Sequence, residues 1–124
     1  MEGDFESIAN KILQIDDVMR QVGLVNDKGE LVNTMMKGGK TPLLDNKKLA
    51  KISHDLYVIK SIHDILEEVL GEFNLVHWST KKVYVLIFYV MDKLVYVTCD
   101  GNTNEYKIAD ISIKIKAIIE SLKN

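Results

Sequence analysis

One cysteine, one proline and one arginine occur among 124 residues, and each scarcity removes a class of explanation. A lone Cys99 excludes an intramolecular disulfide and fits a reducing compartment, and Met1 to Glu6 lack the basic and apolar regions of a secretory signal. The expected location is cytoplasmic. Arg20, the single arginine, leaves any bidentate reading of phosphate or guanine to one side chain, and a formal net charge of -2 offers no general attraction to polyanions. No nucleic-acid partner is expected. The longest apolar run, Val83 to Met91, falls far short of the roughly 20 residues that span a bilayer, so no membrane insertion is expected either. What the chain does have is 47% hydrophobic content, enough to bury a core without metal or disulfide. The length predicts a single domain over residues 1–124.

Phe5, Ile8, Ile12 and Ile15 recur at helical spacing, with Asp4 as the expected N-cap and Asp16-Asp17 interrupting the pattern. Two apolar segments follow, Gln21 to Val25 and Glu30 to about Met36, joined by Asn26-Asp27-Lys28-Gly29. Asn26 and Asp27 favour turns, and Gly29 takes a left-handed conformation at little steric cost, so the stretch predicts a hairpin. Lys37-Gly38-Gly39-Lys40-Thr41-Pro42 stops the second strand and begins a loop.

A long helix is expected from about Asp45 to a C-cap at Gly71. Leu49, Ile52, Leu56, Ile59, Leu66 and Leu70 form one apolar stripe, read as sheet-facing; Val58, Ile62, Ile65 and Val69 form a second beside it. Together they cover more than half of the circumference, wider than a one-sided surface helix needs. In so short a chain the expected cover for the second stripe is another copy of the protein.

Leu75 to Thr80, Val83 to Val90 and Leu94 to Thr98 are rich in β-branched and aromatic residues and read as a three-strand meander. The segment Val83 to Val90 is apolar at every position, which predicts a central strand covered on both faces. Asp100 to Asn104 is a loop, and Ile108, Ile111, Ile115, Ile118, Ile119 and Leu122 mark a final amphipathic helix.

The order helix, two strands, helix, three strands, helix, with the hairpin Val22 to Val32 and the loop Gly38 to Leu44, resembles archaeal proteins of the roadblock or dynein-light-chain type over nearly the whole chain. The resemblance implies an α+β, profilin-like fold, α-β-β-α-β-β-β-α. Its five-stranded antiparallel sheet would carry the middle helix on one face and the terminal helices on the other. It also implies dimers, with itself or with a paralogous subunit, built through the middle helix and the third strand. On this chain that interface would take Val58, Ile62, Ile65 and Val69 from the helix and Leu75, His77 and Trp78 from the strand. Characterised relatives are non-catalytic adaptors, or regulate or scaffold small Ras-like GTPases. The family has no fixed catalytic motif to carry over.

The residues themselves point to no enzyme. Gly39-Lys40-Thr41 lacks the earlier glycine of a phosphate-binding loop, since position 34 is Thr34, and Pro42 follows at once. Lys37, Lys40, Lys47, Lys48 and Lys51 do concentrate positive charge there, as a solvated face or as a contact for an anion or acidic partner. The loop from Asp100 has Glu105 where a calcium loop needs glycine and Ile111 where it needs glutamate. His54-Asp55 and His63-Asp64 sit about 180° apart on a helix and share no site; His63 falls on the sheet-facing side and His54 on the surface. His77 and Cys99 have no metal-ligand spacing, and no metal or cofactor is expected. Trp78 reads either as core or as an interface anchor, the interface being favoured. The expected function is a non-catalytic dimeric adaptor or regulatory module acting with a small Ras-like GTPase. The alternative is a small-ligand sensor with a pocket between sheet and helix, weakened by the many aliphatic side chains available to fill that space.

Overall fold

A computed structural model describes residues 4–121. The elements are α1 (Phe5–Leu13), β1 (Met19–Val25), β2 (Leu31–Met36), α2 (Asn46–Leu70), β3 (Val76–Ser79), β4 (Val83–Val90), β5 (Lys93–Asp100) and α3 (Glu105–Glu120). This is the expected order. Leu122 lies outside the described residues.

The strands form one antiparallel sheet in the order β2-β1-β5-β4-β3. The strand expected at the centre, Val83 to Val90, is therefore second from one edge, and β5 holds the centre. Both strands are buried on both faces, so apolar content alone does not distinguish them; the pairing of β1 with β5 does.

Phe5, Ile8, Ile12 and Leu13 of α1 and Ile108, Ile111, Ile115 and Ile119 of α3 meet Val22, Leu24, Val95 and Val97 on one face of the sheet. Asp4 precedes α1 but forms no side-chain cap, contrary to expectation; its backbone lies outside the extended region that aims a capping carboxylate at the first turn. The hairpin closes on Asn26, whose Oδ1 accepts from the N–H groups of Lys28 and Glu30 at 2.9 and 3.0 Å, while Gly29 sits at φ +76°. Asp45 caps α2 by accepting from the Lys48 N–H at 2.8 Å, and Gly71 at φ +83° ends it. Asn104, at the end of the expected loop, caps α3 by accepting from the Tyr106 N–H at 2.7 Å.

The opposite face of the sheet carries α2, against a smaller core of Val25, Leu49, Leu56, Ile87, Leu94 and Tyr96. Only Leu49, Ser53 and Leu56 are buried on this 25-residue helix, and the stripe predicted to face the sheet is corrected accordingly. The line set by Leu49 and Leu56 runs on through Lys60 and His63, within about 40° of it, whereas Ile59 and Leu66 lie about 80–100° away. Ile52, Leu66 and Leu70 are exposed.

Candidate functional site

The apolar residues of α2 that miss the sheet form a continuous band. Val58 is 50% exposed, Ile62 55%, Ile65 75% and Val69 83%, and Ile52, Leu66 and Leu70 border them. Singly exposed aliphatics are ordinary, but here they run together along one helix. The three strand residues placed beside them divide. Trp78 is exposed on the side of α2 and lines the space beneath that helix. His77 points to the other face, its ring 5.2 Å from that of Tyr84. Leu75 packs into the core under α1 and α3. β3 is an edge strand with only β4 as a neighbour, so one row of its backbone groups has no strand partner among the described residues.

The far half of α2 is tied down by one aromatic cluster. His63 Nδ1 and the Tyr89 hydroxyl are hydrogen-bonded, and the His63 ring stacks on Phe73 at 4.3 Å. Burial pushes the Tyr89 phenol up to about 12, aided by the nearby Asp64 carboxylate. His63 is thus a structural anchor, and His54 is exposed as expected.

Beneath the near half of α2 lies a cavity of about 440 Å³. The expectation that aliphatic side chains fill the space between helix and sheet does not hold here. The floor comes from Val83 and Val85 of β4 and Tyr96 and Thr98 of β5, the roof from Leu49, Ser53 and Leu56. Two small residues leave the room. Ser53 occupies the line where a leucine would plug the gap, its hydroxyl donating to the Leu49 carbonyl at 2.7 Å. Gly23 lets the Tyr96 ring lie directly over β1, where any Cβ would collide with the ring. The Tyr96 hydroxyl is buried and has no hydrogen-bond partner. Burial pushes its pKa up; the neighbouring Ser53 hydroxyl pulls the other way without completing a hydrogen bond.

One end of the cavity is cationic. The pairing of β1 with β5 steps two residues on β1, Met19 to Gln21, against one on β5, Cys99 to Thr98, so Arg20 is the extra residue of a β-bulge. Arg20 and Gln21 both line the cavity as a result. Arg20 Nη1 donates to Asp100 Oδ1 at 2.9 Å and Nη2 to the Thr41 carbonyl at 3.0 Å; Lys40 Nζ reaches Asp100 Oδ2 at 2.7 Å. Burial raises the Asp100 carboxyl, but the hydrogen bonds and charges of Lys40 and Arg20 outweigh it and hold the group below its ordinary value.

The five lysines of the predicted basic group have separate employments. Lys37 donates to the Leu13 carbonyl at 2.7 Å, tying down the C-terminal end of α1, and Lys40 is held by Asp100. Lys51 pairs with Asp55 along α2, while Lys47 and Lys48 are exposed at its start.

Sequence reading missed Tyr96, Ser53, Gly23 and the Arg20–Asp100 pair. A glycine inside a strand and a serine inside an apolar helical line were the available signals. Cys99 is buried at 3.7 Å from Met19 Sδ, and burial, then Asp100 and Asp16, push its thiol up to about 12, which removes it as a nucleophile. No group of three His, Cys, Asp or Glu side chains placed to hold a metal ion occurs among the described residues, and no helix there is long and apolar enough to cross a membrane.

No protein-family model and no curated protein sequence matches the chain. Solved structures do. A Roadblock/LC7 domain from Streptomyces avermitilis is 9% identical with a TM-score of 0.70, over 94% of this chain and 92% of that one. The gliding protein MglB from Thermus thermophilus is 11% identical with a TM-score of 0.69, over 92% and 84%. An MglB with a tetrameric arrangement is 15% identical with a TM-score of 0.67, over 97% and 90%. At these identities the likeness concerns architecture: the chain has the α+β fold of roadblock/LC7 domains.

Proposed function

We propose that the protein is a non-catalytic dimeric module of the cytoplasm that presents a joint helix and sheet surface to a protein partner. The observation that carries this reading is the apolar band on α2 beside the open edge of β3. A second copy related by a two-fold axis would pack Ile62 and Ile65 against their own equivalents and let β3 pair with β3. A paralogous subunit with the same band would serve equally. A helix of about 37 Å with a strand edge beside it is long enough to supply the roughly 800 Å² per partner that stable interfaces bury.

The resemblance to roadblock proteins makes a small Ras-like GTPase the proposed partner. Arg20 is committed to Asp100 and Thr41, so it is not free to enter a nucleotide site. Regulation would then work by positioning the GTPase's own groups. Lys47 and Lys48, exposed at the start of α2, are the proposed contacts for acidic residues of that partner.

Light scattering across a dilution series tests the assembly. A dimer that persists into the low micromolar range supports the module; a strict monomer at high micromolar concentration overturns it. A second reading, a small-ligand sensor, is favoured by the cavity between α2 and the sheet.

A further inference from the structure

The cavity under α2 is largely apolar inside and has excess positive charge at one end. Tyr96, 3% exposed, forms part of the floor. Around the charged end stand Arg20, Lys40 and Lys82 against the single carboxylate of Asp100, and no acidic side chain lines the cavity. Lys82 makes no ion pair among the described residues. Between the two ends the walls are Leu49, Leu56, Val85 and Trp78, which hydrate poorly. The volume falls within the roughly 300–1,000 Å³ of small-molecule sites, which are characteristically apolar with a few convergent polar groups.

We infer that this cavity binds a small amphiphilic monoanion, an apolar chain or ring bearing one carboxylate, with the carboxylate at the Arg20 and Lys82 end and the apolar body running inward past Tyr96. The inference rests on the sensor reading and specifies its ligand. The carboxylate gains Lys82, which has no ion-pair partner among the described residues, beside an Arg20 already held by Asp100 and Thr41. Gly23 and Ser53 are the specificity determinants for shape, since a larger side chain at either removes the space.

The test titrates the full-length protein by calorimetry with decanoate, 1-decanol and decylamine, all below micelle-forming concentrations. Decanoate binding at least tenfold more tightly than either of the others supports the assignment. Equal binding of all three overturns the anion but keeps the cavity as an apolar ligand site. Binding of none overturns the ligand site itself. Two variants place the molecule. Lys82→Gln should weaken decanoate several-fold and leave decanol unchanged. Ser53→Leu should weaken both, because it fills the space that the apolar body takes. Unchanged affinity in both variants would overturn the placement.

Discussion

The ring of Tyr96 on β5 lies across Gly23 on β1 and fills the position that a Cβ would take. Gly23→Ala should destabilise the protein by about 1–3 kcal/mol, the range for overpacking a fitted core. Tyr96→Ala in the same chain should restore much of that loss through a favourable coupling between the two sites. Urea unfolding of the four proteins measures it. A neutral Gly23→Ala would mean that the ring turns aside freely.

Asp100 joins the bulge residue Arg20 to Lys40 of the glycine loop, so it fastens three segments together. Its carboxyl titrates below the unfolded value in the fold, so the stabilisation is complete above that unfolded value of about 3.9 and fades as pH falls through the lower folded value. Asp100→Asn should therefore cost about 1–2 kcal/mol at neutral pH. The gap between variant and parent should stay constant above about pH 5 and narrow below about pH 4. A gap independent of pH down to strong acid would count against the charge pairing.

Met91 turns the β4–β5 hairpin at φ +58°, a left-handed conformation unusual for a side chain of its size, and it is exposed. Asparagine tolerates that conformation better than methionine, because its short polar side chain can hydrogen-bond locally. Met91→Asn should stabilise the fold by about 0.5–1 kcal/mol, a rise of a few degrees in melting temperature. Calorimetry that showed no gain would place the strain elsewhere.

Ile62→Glu with Ile65→Glu puts two charges in the middle of the α2 band. Both side chains are largely exposed within one chain, so the circular dichroism spectrum should be unchanged while the scattered mass falls to that of a monomer. Unfolding of the double variant would place these residues in an intrachain core instead.

The element order was legible because periodicity, turn residues and caps agree locally: Asn26 and Gly29 close the hairpin, Asp45 and Gly71 bound α2, and Asn104 starts α3. Each signal acts within a few residues, where hydrogen bonding and steric preference decide the outcome. The width of the apolar arc on α2 was legible for the same reason. Its orientation was not. Two adjoining stripes compete for one sheet, and the result depends on where Ser53, Lys60 and His63 meet partners from distant strands, as His63 meets Tyr89.

The sequence by itself determined the eight elements, their order, and an apolar surplus on α2, because these follow from short-range physics along one chain. Only the tertiary structure decided that β5 and not β4 is central, that Arg20 finds Asp100 eighty residues away, and that a cavity opens over Tyr96. Those outcomes depend on which strands pair and on whether side chains brought together from separate elements fill the space between them, and nothing local in the chain encodes that sum.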